Sequence, residues 1–243
     1  MSSAPRGRRR GSAATGLVVF LMLGMLLVLA LYGVDRYAVG RAEREAASAL
    51  QTELGTPQPP QVEISGWPFL PQAVTQDLDS VRVVADGVGT TGGSAVQIAR
   101  TDLVLTEVRS RDWFRTSTAG HVDGTALIDY GEVGALSAVP LTYAGEGRMQ
   151  VKLTTGAFGF DVPATVTGVP KLNSEDQTIV LADPEVDLGA VNVPESTAEA
   201  LLRVLVRPMP VQGLPFGLRL SSLTAEDDGL HVTVVGDDVS FGR

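Results

Sequence analysis

The segment that most restricts this chain is its N-terminus. From Gly11 to Val34 no residue is charged, and the middle of the run reads GLVVFLMLGMLLVLALYGV. A helix needs about 20 apolar residues to cross the hydrocarbon layer of a bilayer. Arg6, Arg8, Arg9 and Arg10 form a basic cluster just before it, and such clusters stay on the cytoplasmic side. A cleaved signal peptide has an apolar core of about 7–15 residues followed by a small-x-small site. Here the run is longer and closes on Leu31-Tyr32-Gly33-Val34, without a clean site. The expected organisation is a basic cytoplasmic tail over 1–10, a transmembrane anchor or uncleaved signal over 11–34, and one exported domain over 35–243. This places the protein in the cell membrane as a single-pass chain, its domain on the outer, periplasmic side.

Four of the 19 basic residues lie in the arginine cluster, whereas all 28 acidic residues lie at or beyond Asp35. The exported part is therefore strongly acidic, which disfavours nucleic acid and broad adhesion to anionic lipid. The chain has no cysteine. Disulfides, thiolate metal sites and cysteine catalysis are excluded, and a domain of this length buries enough core without them.

Asp35 to Leu54, DRYAVGRAEREAASALQTEL, has a helical period, with Ala42, Ala46, Ala49, Leu50 and Leu54 forming a small-residue face. This face is expected to pack on the domain. Gly55 supplies a stop, and Pro57, Pro59 and Pro60 forbid continuation. Beyond Gln61 the period changes to two. Leu78–Val88 alternates and ends in an Asp-Gly turn signal, and Ser94–Val108 and three further stretches follow. In the last hairpin Leu230, Val232 and Val234 share a face beside the turn signal Asp228-Gly229. Locally joined strands make an antiparallel meander the simplest topology. Helices interrupt it at Pro194–Val206, where Ser196 and Glu199 have capping-box spacing, and more weakly at Asp129–Leu136. The fold class is α+β: a long curved antiparallel sheet packed with a few helices, preceded by one transmembrane helix.

The sequence offers little catalytic chemistry. His121 and His231 are the two histidines, and no paired-histidine metal motif occurs. No nucleophile elbow, P-loop or dinucleotide fingerprint is present, and the glycine-rich Gly87–Gly93 reads as a hairpin loop. The pairs Asp77/Asp79, Asp227/Asp228 and Asp237/Asp238 sit at turns, where aspartate is favoured for backbone reasons. We expect no enzyme activity, no metal and no cofactor.

Two other features stand out. Ile64–Val74, ISGWPFLPQAV, gathers bulky apolar groups on a segment too proline-rich for a helix or a central strand. It is echoed by GLPFGL at Gly213–Leu218. Trp67, Phe69, Leu70 and Phe216 either plug the ends of a core or line the mouth of a lipid groove. The second feature is RSRDWFR, in which Arg109, Arg111 and Arg115 surround Trp113 and Phe114. Guanidinium groups beside aromatics suit a phosphorylated headgroup at an apolar mouth. A solvated turn has the same composition.

The order of these features resembles the actinobacterial LmeA-like family of exported phospholipid-binding proteins, from Asp35 to the C-terminus. The stretches that carry the resemblance are DRYAVGRAEREAASALQTEL, VEISGWPFLPQAV, LDSVRVVADGV, VDGTALIDYGEV and LPFGLRLSSLTAEDDGLHVTVVGDDVSF. The resemblance implies binding of phospholipid in the cell envelope without catalysis. For some members it implies a link to lipoglycan assembly. It also implies a tubular lipid-binding architecture, in which a long sheet wraps a helix around an apolar groove. The expected function is a membrane-anchored envelope protein that binds or carries phospholipid. The alternative is a non-catalytic structural or regulatory partner of a membrane-bound envelope-synthesis enzyme.

Overall fold

The structure is a computed structural model, and it describes residues 12–89, 97–112, 114, 116–137, 140–157, 160–187, 209–211, 214 and 217–242. The expected helix over Pro194–Val206 lies outside them, as do Trp113, Arg115 and Phe216.

The apolar run and the amphipathic stretch after it form one unbroken helix, α1 (Ser12–Leu54). Its apolar residues from Leu17 to Val34 are exposed on every side, as they must be if lipid is their solvent. From Asp35 onward one face docks on the domain. Asp35 and Val39 are buried, Ala38 and Ala42 pack beside them, and Ala46, Leu50 and Leu54 are half-buried. Ala49, expected on this face, is exposed. Gly55 ends the helix at φ +62°, the left-handed conformation that favours glycine.

The chain then enters β1 (Gln61–Ser65), crosses a cis Trp67–Pro68 bond, and forms the short helix α2 (Phe69–Thr75). The expectation that ISGWPFLPQAV avoids helix is corrected here. Pro68 takes the N-cap, and Pro71 falls in the first turn, where its missing N–H has no intrahelical partner to lose. Gln76 closes α2 in the left-handed conformation.

Strands β2 (Asp77–Gly89), β3 (Gln97–Ser110) and β4 (Thr116–Ile128) continue as a meander. The last hairpin, β10 (Arg219–Glu226) and β11 (Gly229–Gly242), returns so that β11 lies beside β4. The result is a six-stranded antiparallel sheet in the order β1-β2-β3-β4-β11-β10. Between β4 and β10 the chain builds α3 (Tyr130–Ser137) and a second sheet. That sheet runs in sequence order through β5 (Leu141–Gly145), β6 (Arg148–Ala157), β7 (Phe160–Asn173), β8 (Thr178–Asp187) and β9 (Met209–Pro210). The long alternating strands thus belong to two antiparallel sheets, not one.

Two turn signals fare differently. Asp228-Gly229 does mark a hairpin, with Gly229 paired to Glu226. Asp86-Gly87 does not end a strand, because β2 runs through it. Gly87 instead has φ +67° and passes so close to Pro57 that a Cβ there would lie 3.2 Å from the ring.

Alternation along the six-stranded sheet shifts phase at one level. The buried positions are Leu78 on β2, Val108 on β3, Ala119 on β4 and Val239 on β11, which face each other in register. The next inward residues are three positions away rather than two: Val81, Leu105, Val122 and Gly236. The intervening pairs 79–80, 106–107, 120–121 and 237–238 are exposed or half-buried. Glu107 (φ +52°) and Asp238 (φ +50°), the left-handed residues at this level, flank Gly120, where a Cβ would lie 3.1 Å from Glu107 Cβ. All four strands slip together, so pairing survives while the sheet acquires a crease.

The second sheet packs on β10. Leu220, Leu223 and Ala225 meet Tyr143, Met149, Leu172 and Ile179, with Tyr130 and Val133 of α3 at the margin. Gln177 ties the sheets together: its Oε1 accepts from Leu220 N–H at 2.7 Å, and its Nε2 donates to Leu220 C=O at 3.1 Å. Tyr130 donates its hydroxyl to the Glu226 carbonyl at 2.7 Å, and burial pushes that phenol up to about 12.

Candidate lipid-binding face

One face of the six-stranded sheet is apolar along its length. At the α1 end it carries Leu78, Val108, Ala119, Val122 and Val239 packed on Val39 and Phe69. At the far end it carries Leu230, Val232 and Val234, which pack with residues of the second sheet. Leu218 touches both clusters. In the middle Val83 and Ala85 are buried, whereas Val81, Leu103 and Leu105 are only half-buried. An apolar surface left partly uncovered is the usual lining of a ligand groove.

The direction of this face follows from α1. Its docked half begins at Asp35, against α2, and ends near Pro57, against Gly87 at the far end of β2. Helix and strands therefore run side by side, about 30 Å for the twenty helical residues. The end of the sheet that holds α2 is the end at which the apolar run of α1 finishes, at Val34.

The described members of ISGWPFLPQAV and of RSRDWFR lie at that end. Ser110 N–H donates to Gln76 C=O at 2.9 Å, so the β3–β4 loop sits against the end of α2. Within ISGWPFLPQAV the residues divide. Phe69 is 6 % exposed and belongs to the core, whereas Trp67 (66 %) and Leu70 stand outside it. Val74, which the sequence reasoning missed, is 70 % exposed. Its signal was present, since Leu70 and Val74 are four apart and share a helix face, about 100° round from Phe69 and Ala73.

The arginine cluster is less available for phosphate than its composition suggests. Arg109 is held by Glu107 Oε2 at 3.0 Å and by Asp77 Oδ1 at 3.6 Å. Arg111 is exposed. Phe114 is partly exposed at φ +61°, its N–H bonded to Ser110 Oγ at 2.9 Å. Asp112 fixes the loop by accepting from Thr116 N–H at 2.8 Å.

Asp35 was also missed. It is the first charged residue after the apolar run, yet it is 3 % exposed. Oδ1 accepts the N–H of Leu70 at 2.9 Å, at the open first turn of α2, while Oδ2 is buried with no hydrogen-bond partner. Further along, Glu43 Oε1 accepts from Ile64 N–H at 3.0 Å, a second tie between α1 and the sheet edge.

The outer side of the sheet is polar. His121 lies 2.6 Å from Asp237 and 3.2 Å from Asp123. The Asp237 hydrogen bond comes first among the causes that raise its pKa above the ordinary histidine value. Arg82 and Asp102 form a two-pronged pair across β2 and β3 that holds the Asp102 carboxyl below the usual range. Glu226, Asp228 and His231 place ligand-type atoms within 4.8 Å of one another at the last hairpin. His231 Nε2 there is 2.8 Å from Asp228 Oδ1, which lowers the Asp228 pKa.

Neither a curated protein nor a solved structure matches this chain. The match that is found runs over residues 33–235, from two residues before Asp35 to the middle of β11. It takes in the docked half of α1, the α2 corner, the second sheet and all of the six-stranded sheet but the last half of β11, and on it the chain belongs to the LmeA-like phospholipid-binding family.

Proposed function

We propose that this protein is a membrane-anchored envelope protein that binds or carries phospholipid along the inner face of its six-stranded sheet. The observation that carries the reading is that face itself. It is apolar from Leu78 to Leu230, yet Val81, Leu103 and Leu105 at its middle are only half-buried. Acyl chains supply the missing cover at about 0.8 kcal/mol per buried methylene. The anchor is α1, whose apolar half is exposed throughout and long enough to cross a bilayer. The arginines before it orient the domain to the outer side. The acidic surface argues against broad attraction to anionic lipid, so the headgroup is held locally. Of the candidates for headgroup contact, Arg111 is exposed at the α2 end of the sheet.

The test is native mass spectrometry and lipid extraction of the full chain purified from membranes in mild detergent. Phospholipid retained at a fixed ratio, and displaced when Leu105 is replaced by Gln, is the expected result. A chain that emerges free of phospholipid and takes none up from added vesicles refutes the proposal.

A further inference from the structure

The α2 corner has a composition that the core does not explain. From Ile64 to Gln76 the chain carries no charge. Phe69 and Ala73 turn inward and satisfy the core. A second face, about 100° round the helix and normally polar at a water surface, carries the exposed Leu70 and Val74, and Trp67 is exposed just before the helix. A segment that turns apolar residues to the core and leaves further large apolar residues exposed beside them is suited to two apolar surroundings, the core on one side and lipid on the other.

Its position says which lipid. Leu70 N–H is bonded to Asp35, and Asp35 directly follows Val34, the last residue of the apolar run. The corner is thus fastened at the point where α1 leaves the hydrocarbon layer. Tyr32 and Tyr37 are exposed on α1 at the same level, with Arg36 stacked 5.8 Å from the Tyr32 ring. Tyrosine and tryptophan concentrate at this depth of a bilayer.

We propose that Trp67, Leu70 and Val74 seat the domain in the interfacial layer of the leaflet from which α1 emerges, with Arg111 at phosphate level. This rests on the anchored reading of α1 and adds a second contact, fixed relative to the first by Asp35. Two contacts on one rigid body define an orientation. The strands, running alongside α1, then stand up from the membrane, and the apolar inner face begins at the lipid surface, so that an acyl chain enters it without crossing water. Because the seating segment is uncharged, the contact is apolar and insensitive to salt.

The chain has two tryptophans, so Trp113→Phe leaves Trp67 as the sole reporter. The full-length variant is reconstituted into phosphatidylcholine liposomes. Flotation is scored first, then quenching of Trp67 by phosphatidylcholine brominated near the glycerol end of its acyl chains. The expected result is flotation with the vesicles and at least twofold quenching, unchanged in molar salt. Adding Val74→Asp, at a position exposed enough to leave the fold intact, should reduce that quenching while flotation and the strand signal in circular dichroism persist. A chain that floats but whose Trp67 is unquenched and freely reached by acrylamide overturns the seating while leaving the anchor standing. Quenching lost in high salt, or indifferent to Val74→Asp, also overturns it. A chain that does not float overturns both the anchor and the seating.

Discussion

Phe69 and Trp67 are two residues apart and similar in chemistry, yet they should behave oppositely when truncated. Phe69 is 6 % exposed against Val39 and Leu78, whereas Trp67 is 66 % exposed. A phenylalanine side chain buries roughly 150–250 Å², about 4–6 kcal/mol at 25 cal/mol per Å². Alanine keeps part of this, and large-to-small core substitutions cost about 3–5 kcal/mol. In a domain of this size each kcal/mol lowers Tm by about 2–4 °C, so Phe69→Ala should lower it by roughly 6–20 °C. Trp67→Ser removes an exposed ring and should stay within about 0.5 kcal/mol, under about 2 °C. The assay is thermal unfolding of the full chain in detergent micelles, followed by the strand signal in circular dichroism. The reasoning is refuted if Phe69→Ala moves Tm by less than about 2 °C, or if Trp67→Ser destabilises as much as Phe69→Ala.

Gln177→Ala strips both side-chain partners from the part-buried backbone of Leu220 and should cost about 1–3 kcal/mol in urea unfolding; a midpoint equal to the parent's would show that the sheets are held by apolar packing alone. Gly229→Ala forces a Cβ to 2.6 Å from the Ile128 carbonyl oxygen at φ +152°, and hydrogen exchange in the β10–β11 hairpin should rise while that of β2 and β3 stays constant. His121 has its pKa raised, first by Asp237. Its contribution to stability is therefore full below the unfolded histidine value and fades as pH rises through the folded one. NMR titration should place its midpoint above about 6.5, and Asp237→Asn should bring it down; a midpoint that does not move would rule out that contact as the cause.

The class, most of the elements and a helix long and apolar enough to cross a membrane were legible in the sequence alone. A charge-free run of that length, with arginines before it, makes a helix able to cross a bilayer whatever follows it. Period-two alternation at Leu230, Val232 and Val234 names the buried side of a strand without any knowledge of its partner. Gly55 and Gly229 mark where the backbone must turn, and DRYAVGRAEREAASALQTEL announces a helix with a docking face. The proline-rich corner was legible as something other than a solvated loop, though its helical turn was not, because Pro71 is harmless only in the first turn.

Tertiary structure decided everything that depends on who sits next to whom. Alternation cannot say that β11 returns to β4, or that the strands between them leave to form a second sheet, because pairing is a contact between residues far apart in the chain. The crease at Glu107, Gly120 and Asp238 breaks the period at one level on four strands, and two of its three residues carry no glycine-like signal for their positive φ. Arg109 looked like a phosphate ligand until Glu107 and Asp77 were placed beside it. Composition reports what a side chain can bind, and only the fold reports what already binds it. The same holds for the paired apolar residues of ISGWPFLPQAV. Chemistry made Trp67 and Phe69 alike, and a helical turn of backbone, tied to the head of the docked helix by Asp35, sent one inward to the core and the other outward.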